Sequence, residues 1–109
     1  MIDKILLNQA ILNVESTLRD AISSLELSGL QVVIVVSHDS ILLGMITDGD
    51  IRRGFMRGHG LDTSVENVMA TSPLVVDITI PRHEAVKLMI EHKIHHLPVV
   101  DGESRLVDM

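Results

Sequence analysis

Gly44, Thr47 and Asp50 form a Gly-x-x-Thr-x-x-Asp motif at the end of a run of aliphatic residues. The pattern predicts a strand that ends, turns and enters a helix at the motif. Such a junction brings backbone N–H groups, a hydroxyl and a carboxylate close together. The N–H groups of a helix N-terminus bind phosphate, and a carboxylate accepts hydrogen bonds from ribose hydroxyls. The motif therefore favours binding of a ribose phosphate over bond-breaking chemistry.

The same residues also have a purely structural interpretation. Thr47 and Asp50 are favoured N-cap residues, and they stabilise a helix without any ligand. Asp48-Gly49-Asp50 resembles the start of a calcium loop, but the other ligands and the closing Glu of an EF-hand are absent. Arg52 and Arg53 either contact a phosphate or a partner chain, or form a solvated helix face. Capping and ligand binding both stay open at this point.

Composition excludes several classes of function. The 109 residues carry nine basic and fifteen acidic side chains, a net charge of −6, and Phe55 is the only aromatic residue. A nucleic-acid partner is not expected, because such proteins show a basic face or aromatic stacking platforms. The apolar runs are strand-sized, so no membrane span is expected either. The chain is expected to be soluble and cytoplasmic, with one compact unit or two very small ones.

Neither catalytic residues nor a metal site are predicted. The chain has no cysteine and no Gly-rich P-loop with Lys. His38-Asp39-Ser40 contains the residue types of a triad, but neighbours in a tight turn cannot take the relay geometry. His92, His95 and His96 suggest metal binding. However, His95 and His96 are adjacent in a predicted strand and should point to opposite faces, and no further ligand completes a site.

The two halves of the chain repeat each other at a spacing of 64 residues, which aligns Ala21 with Ala85, Val35 with Val99 and Leu42 with Leu106. Each half reads as a short extended piece, a helix, a strand, a turn and a second strand. This order predicts an α+β fold built from two side-by-side repeats. The first repeat is assigned to residues 1–60, and the linker with the second repeat to residues 61–109.

Local signals predict the element bounds. Thr17 with Asp20 resembles a capping box at the start of the first helix, and Gly29 is a helix stop. In the second half, Pro81 suits a first helical turn. The predicted elements are strands at Gln31–Ser37, Ile41–Ile46, Leu97–Val100 and Arg105–Met109, a helix at Gly49–Arg57, and a short helical turn capped by Ser64.

The tandem β-α-β-β-α pattern resembles the CBS domain pair over nearly the whole chain. The first half carries the signature motif of this family at Gly44, Thr47 and Asp50. The second half carries another family motif at residues His96–Asp101, with the sequence His-Leu-Pro-Val-Val-Asp. The resemblance implies tandem repeats with pseudo-two-fold symmetry. At the 64-residue spacing the counterparts of Thr47 and Asp50 fall past Met109. The second repeat is therefore expected to be truncated and the chain to be a fragment.

The resemblance also implies a function. CBS pairs bind adenosine-containing ligands, here AMP, ADP, ATP or S-adenosylmethionine, regulate an attached domain, and commonly form homodimers. No cofactor is required. Carried over to this chain, Asp50 would bind the ribose hydroxyls and Thr47 a phosphate or the ribose. The full set of implied ligand-binding residues is Gly44, Thr47, Asp50, Val33, Ile34 and His95.

A closer likeness concerns what is attached. The segments Thr47–Gly54 and Val65–Met69 resemble the CBS pair placed N-terminal to sugar-phosphate nucleotidyltransferase domains. This likeness implies a C-terminal catalytic domain, while the chain by itself is not an enzyme. The alternative is a structural dimerisation module that binds no ligand.

Overall fold

The structure, a computed structural model, describes residues 3–109. Its helices are α1 (Lys4–Gln9), α2 (Leu18–Ser28), α3 (Asp48–Met56) and α4 (Arg82–His92), with a short 3₁₀ helix at Val65–Asn67. Its strands are β1 (Ile11–Asn13), β2 (Val32–Val36), β3 (Leu42–Thr47), β4 (Val76–Asp77), β5 (Val99–Val100) and β6 (Leu106–Asp108). Within these residues no helix is long and apolar enough to cross a bilayer.

Two three-stranded sheets, ordered β1-β2-β3 and β4-β5-β6, confirm the predicted α+β fold of tandem repeats. In each sheet the first pair of strands is parallel and the second antiparallel. Leu12 pairs with Val35, and Val76 pairs with Val99 at the equivalent positions. The antiparallel pairing is irregular after Val35 in one sheet and after Val99 in the other. The repeat seen in the sequence is therefore kept in strand register.

The two repeats meet through a reciprocal pair of hydrogen bonds. Leu42 N–H donates to the carbonyl of Ser104 at 3.0 Å, and Leu106 N–H donates to the carbonyl of Ser40 at 2.9 Å. These donors and acceptors exchange at the 64-residue spacing, and Ile41 forms a bridge with its own counterpart Arg105. Reciprocal contacts between equivalent residues indicate a pseudo-two-fold axis, as in an isologous interface.

Helix boundaries follow the predicted local signals. The predicted capping box at Thr17 and Asp20 is present, and α2 ends at Gly29, whose φ of 69° is left-handed. Ser64 caps the 3₁₀ helix by accepting from the N–H of Glu66. Helix α1 was not predicted, because with six residues and Leu7 as its only buried side chain it has no helical periodicity to detect.

Strand β2 is buried on both faces. Val33 and Val35 pack into a core formed largely by α2 and α3, whereas Ile34 and its same-face neighbours pack against Leu7 and Met109. All five residues of β2 are therefore buried. A strand with cores on both faces reads as a continuous aliphatic run, as the sequence shows here.

The segment between the 3₁₀ helix and β4, residues 68–75, is called the linker below, and it is attached to β3 beside Gly44. Met45 and Ala70 exchange backbone hydrogen bonds of 3.0 and 2.9 Å, which adds the linker to the outer edge of the sheet. A Cβ at Gly44 would lie 2.7 Å from Met69 Sδ and 2.8 Å from the Ala70 carbonyl oxygen. Gly44 is thus required for the close approach of the linker to the strand.

Candidate functional site

A cleft of about 740 Å³ lies between the two repeats. Its volume falls in the range of small-molecule sites. The cleft is lined by residues from α2 and the β2 region (Leu25, Gln31, Val32), β3 (Met45, Thr47), the start of α3 (Asp48, Gly49, Asp50), the segment before β4 (Ala70, Pro73, Leu74) and the second repeat (Ile94, His95, His96). The apolar share of this wall suits a flat organic ring, and the polar groups are concentrated at α3 and at the two histidines.

At the start of α3, Thr47 and Asp50 form a reciprocal capping box. Thr47 N–H and Oγ1 lie 2.9 and 3.0 Å from Asp50 Oδ2, while the N–H of Asp50 donates to Thr47 Oγ1 at 3.3 Å. The capping interpretation is therefore correct for this structure. Capping does not use all the hydrogen-bond acceptor sites of Asp50, because a carboxylate has about four of them. The Asp50 side chain keeps 19% of its surface exposed.

The second repeat contributes His95 and His96. The expectation that these neighbours lie in a strand is wrong, and both line the cleft. They precede β5 rather than lying in it, so the alternation of a strand does not apply to them. Partial burial lowers the pKa of His96, and the neighbouring His95 lowers it further, against an opposing hydrogen-bond interaction with the backbone of Leu30.

The low pKa of His96 predicts a pH dependence of stability. Between its lowered folded-state value and the ordinary value of 6.5, the unfolded chain binds more protons. The stability present above pH 6.5 is thus lost as the pH falls through this window. Thermal midpoints measured from pH 8 to pH 5 should decline less in His96→Gln than in the wild type. His83→Gln, which changes an exposed histidine of α4, should follow the wild type. Parallel curves for all three proteins would contradict this assignment.

Three of the sequence-predicted binding residues meet in the cleft, namely Thr47, Asp50 and His95. Gly44 lies behind its wall and acts through the contact with the linker. Val33 and Ile34 require a correction, because both are 0% exposed and neither lines the cleft. Val33 points into the core under α2 and α3, and Ile34 is covered on the other face of β2.

Sequence reasoning missed several residues of the wall. Val32 lines the cleft where Val33 and Ile34 were expected. Val33 lies on the other face of β2, whereas Ile34 shares the face of Val32 and lies two residues farther along the strand. Val32 pairs with Thr47, next to the start of α3. Pro73 and Leu74 come from an irregular segment without periodicity. His96 was treated as part of a hallmark rather than as a wall residue. The adjacent histidines were the one available signal, since polar pairs before a buried strand are candidates for a site.

A metal centre finds no support in the part of the chain that the structure describes. Among residues 3–109 no group of three or more His, Cys, Asp or Glu side chains is arranged to hold a metal ion.

The fold and the cleft define a class of protein. Residues 5–57 and 65–109 match the family model of the CBS domain. These two matches cover far more than half of the chain, and the chain belongs to the CBS domain family.

Particular relatives are known enzymes. The chain is similar to the arabinose 5-phosphate isomerase GutQ of Salmonella typhi, with 31% identity over 91 residues, and to KdsD of Pseudomonas aeruginosa, with 33% over 93 residues. Each alignment covers 84% of this chain but 28% of the isomerase. The chain thus spans less than a third of the length of these relatives.

Among solved structures, the chain is similar to the CBS domain protein PAE2072 from Pyrobaculum aerophilum, which is complexed with AMP. The two share 25% identity and a TM-score of 0.76, over 90% of this chain and 76% of that chain.

Proposed function

We propose that this chain is a regulatory module that binds an adenine nucleotide in the cleft between its two repeats. The observation that carries the proposal is that Thr47 and Asp50, at the N-terminus of α3, share one cleft with His95 of the second repeat. Asp50 accepts from the ribose hydroxyls, and Thr47 with the N-terminus of α3 faces the phosphate or the ribose. Val32 flanks the base in place of Val33 and Ile34. The AMP complex of the similar protein PAE2072 supports this ligand class.

The charges of the cleft favour a ligand with few phosphates. Among the described residues that line it, Asp48 and Asp50 are acidic, and none is lysine or arginine. The remaining ionisable residues of the wall are His95 and His96, and burial lowers the pKa of His96 and so disfavours its charged form. Each additional phosphate therefore adds repulsion without gaining a permanent cation. We expect AMP to bind more tightly than ADP, and ADP more tightly than ATP, while S-adenosylmethionine carries no phosphate to be repelled.

We further propose that the module controls an attached catalytic domain that acts on a sugar phosphate in the cytoplasm. The segment Thr47–Gly54 favours a C-terminal nucleotidyltransferase domain by its resemblance, whereas the relatives GutQ and KdsD are sugar-phosphate isomerases. A ligand that holds the two repeats in one arrangement shifts the population of the states of the attached domain. The coding sequence that flanks these 109 residues would distinguish an attached nucleotidyltransferase domain from an attached isomerase domain.

Titration of the chain with AMP, ADP, ATP and S-adenosylmethionine tests the ligand. Isothermal calorimetry should give one site per chain for at least AMP. A ligand present at 100 times its dissociation constant should raise the free energy of unfolding by roughly 2.7 kcal/mol, which appears as a higher thermal midpoint. If none of the four compounds releases heat or moves the midpoint, the nucleotide proposal fails.

A second candidate is a structural dimerisation module without a ligand. It is favoured by an apolar face on α4, where Val86 is 46% and Ile90 is 72% exposed. These two residues line a further cavity of about 500 Å³ together with Met89 and Ile94. Sedimentation that gives a dimer in the wild type and a monomer in Ile90→Glu, together with no nucleotide binding, would favour this candidate over the first.

A further inference from the structure

The two carboxylate oxygens of Asp50 make hydrogen bonds to two different residues. Oδ2 accepts from the backbone N–H and the hydroxyl of Thr47 at 2.9 and 3.0 Å. Oδ1 accepts from Arg53 Nη2 at 2.8 Å. The χ2 torsion of an aspartate has a broad distribution. The capping box holds only Oδ2, so rotation about χ2 can still move Oδ1. With both oxygens held, the plane of the carboxylate is fixed.

On its way to Asp50, the Arg53 side chain passes close over position 49, which has no side chain. A Cβ at Gly49 would lie 3.1 Å from Arg53 Nη1 and 3.4 Å from Nη2. The guanidinium group therefore folds back over Gly49 toward the first turn of α3. Arg53 is not among the residues that line the cleft, so it acts on the cleft through Asp50.

The other capping box of the chain gives a comparison within the same repeat. Thr17 and Asp20 cap α2 with the same reciprocal contacts, and Asp20 Oδ2 lies 2.9 Å from the N–H of Thr17. At the positions equivalent to Gly49 and Arg53, that helix carries Arg19 and Ser23. The box at α2 does not line the cleft. The Arg53–Asp50 pair over Gly49 is thus found at the capping box that lines the cleft. The capping box of α2 forms without an equivalent pair, so capping alone does not require it.

We infer that Arg53, lying over Gly49, is a positioning residue that orients the Asp50 carboxylate toward the ribose hydroxyls of the bound nucleotide. This inference rests on the proposed function. An oriented carboxylate accepts from the ribose hydroxyls without first losing rotational freedom, and pre-organisation of this kind raises affinity. Removal of Arg53 should therefore weaken the ribose contact more than any other contact of the ligand.

The test compares AMP with 2′-deoxy-AMP by calorimetry on the wild type, Arg53→Gln and Arg52→Gln. The control Arg52 is a neighbouring exposed arginine of α3 that pairs with Asp48 at 3.4 Å, and its loss removes the same charge. In Arg53→Gln, AMP should bind about 5-fold more weakly and the preference for AMP over 2′-deoxy-AMP should shrink. Arg52→Gln should keep both the affinity and the preference. Arg53→Lys, which retains the charge and N–H donors but not the planar guanidinium, should recover part of the loss.

Gly49→Ala separates positioning from folding. Alanine favours the helix over glycine by about 1 kcal/mol, so the variant should be at least as stable as the wild type. Its Cβ would lie 3.1 Å from Arg53 Nη1, so the guanidinium group must shift by a few tenths of an ångström. AMP affinity and ribose preference should therefore fall, but by less than in Arg53→Gln.

The possible outcomes distinguish this inference from the function on which it rests. If the wild type binds AMP and Arg53→Gln matches Arg52→Gln in both affinity and ribose preference, the role of Arg53 is refuted and the nucleotide site stands. Equal binding of AMP and 2′-deoxy-AMP by the wild type also overturns the inference and leaves the site. No AMP binding by the wild type refutes both.

Discussion

Asp50→Ala is expected to remove most of the affinity for AMP, whereas Asp20→Ala leaves that affinity unchanged. Asp50 lines the cleft, and its carboxylate is the proposed acceptor for the ribose hydroxyls. A hydrogen bond to a charged group contributes about 1.5–3 kcal/mol, so the loss should be roughly 10- to 100-fold in dissociation constant. Calorimetric titration with AMP measures the effect directly.

The two variants are a matched pair, because both aspartates occupy the same position in a capping box. Each accepts from the N–H of its threonine at 2.9 Å. Each substitution should lower the free energy of unfolding by about 1 kcal/mol, the usual effect of losing a cap interaction. A shared loss of stability with separate effects on binding would identify a ligand role for Asp50. If both variants bind AMP like the wild type, Asp50 is a cap and nothing more.

Gly44→Ala is expected to have the largest effect on stability. The new Cβ would meet Met69 Sδ at 2.7 Å and the carbonyl oxygen of Ala70 at 2.8 Å. The methionine can move, but the carbonyl belongs to backbone that is hydrogen-bonded to Met45. Overpacking against such an element costs about 2 kcal/mol, or roughly 10 °C in thermal midpoint for a domain of this size. Urea unfolding and thermal melts measure the loss.

The effect of Gly44→Ala should extend to the cleft, because Ala70 is part of its wall. AMP affinity should therefore fall although Gly44 touches no ligand. Gly60→Ala is the control, since no atom of the described structure lies within 4 Å of the added Cβ and the backbone there is not left-handed. It should change the free energy of unfolding by less than about 0.5 kcal/mol. Equal stabilities of the two variants would show that the linker yields without cost.

Local chemistry in the sequence was enough to predict most of the elements. Thr17 and Gly29 delimit α2 because hydrogen bonds close in sequence decide helix ends. The turn at His38–Ser40 and the start of α3 at Thr47 follow for the same reason. The capping function of Thr47 and Asp50 was predictable from residue type, and their place in a cleft was suggested by the family resemblance.

The face of a buried strand was not predictable in the same way. In β2 every residue is aliphatic and buried, so the sequence carries no polar mark to distinguish Val32 from Val33 or Ile34. The prediction for Val33 failed for that reason. The prediction for Ile34 failed because the pairing of Val32 with Thr47, and not the face, selects the end of β2 that meets the cleft. The prediction that His95 and His96 lie in a strand is wrong because β5 begins at Val99, and the irregular backbone before it has no fixed alternation of side chains.

The sequence by itself determined the repeat, the helix caps and the type of fold, because each depends on residues within a few turns of one another or on a pattern repeated along the chain. Only the tertiary structure decided which residues form the cleft. That assignment depends on how β2 is covered on both faces, on the linker bound beside Gly44, and on the reciprocal contacts of Ser40 and Ser104. These contacts join segments that are distant in the sequence, so no local pattern predicts them.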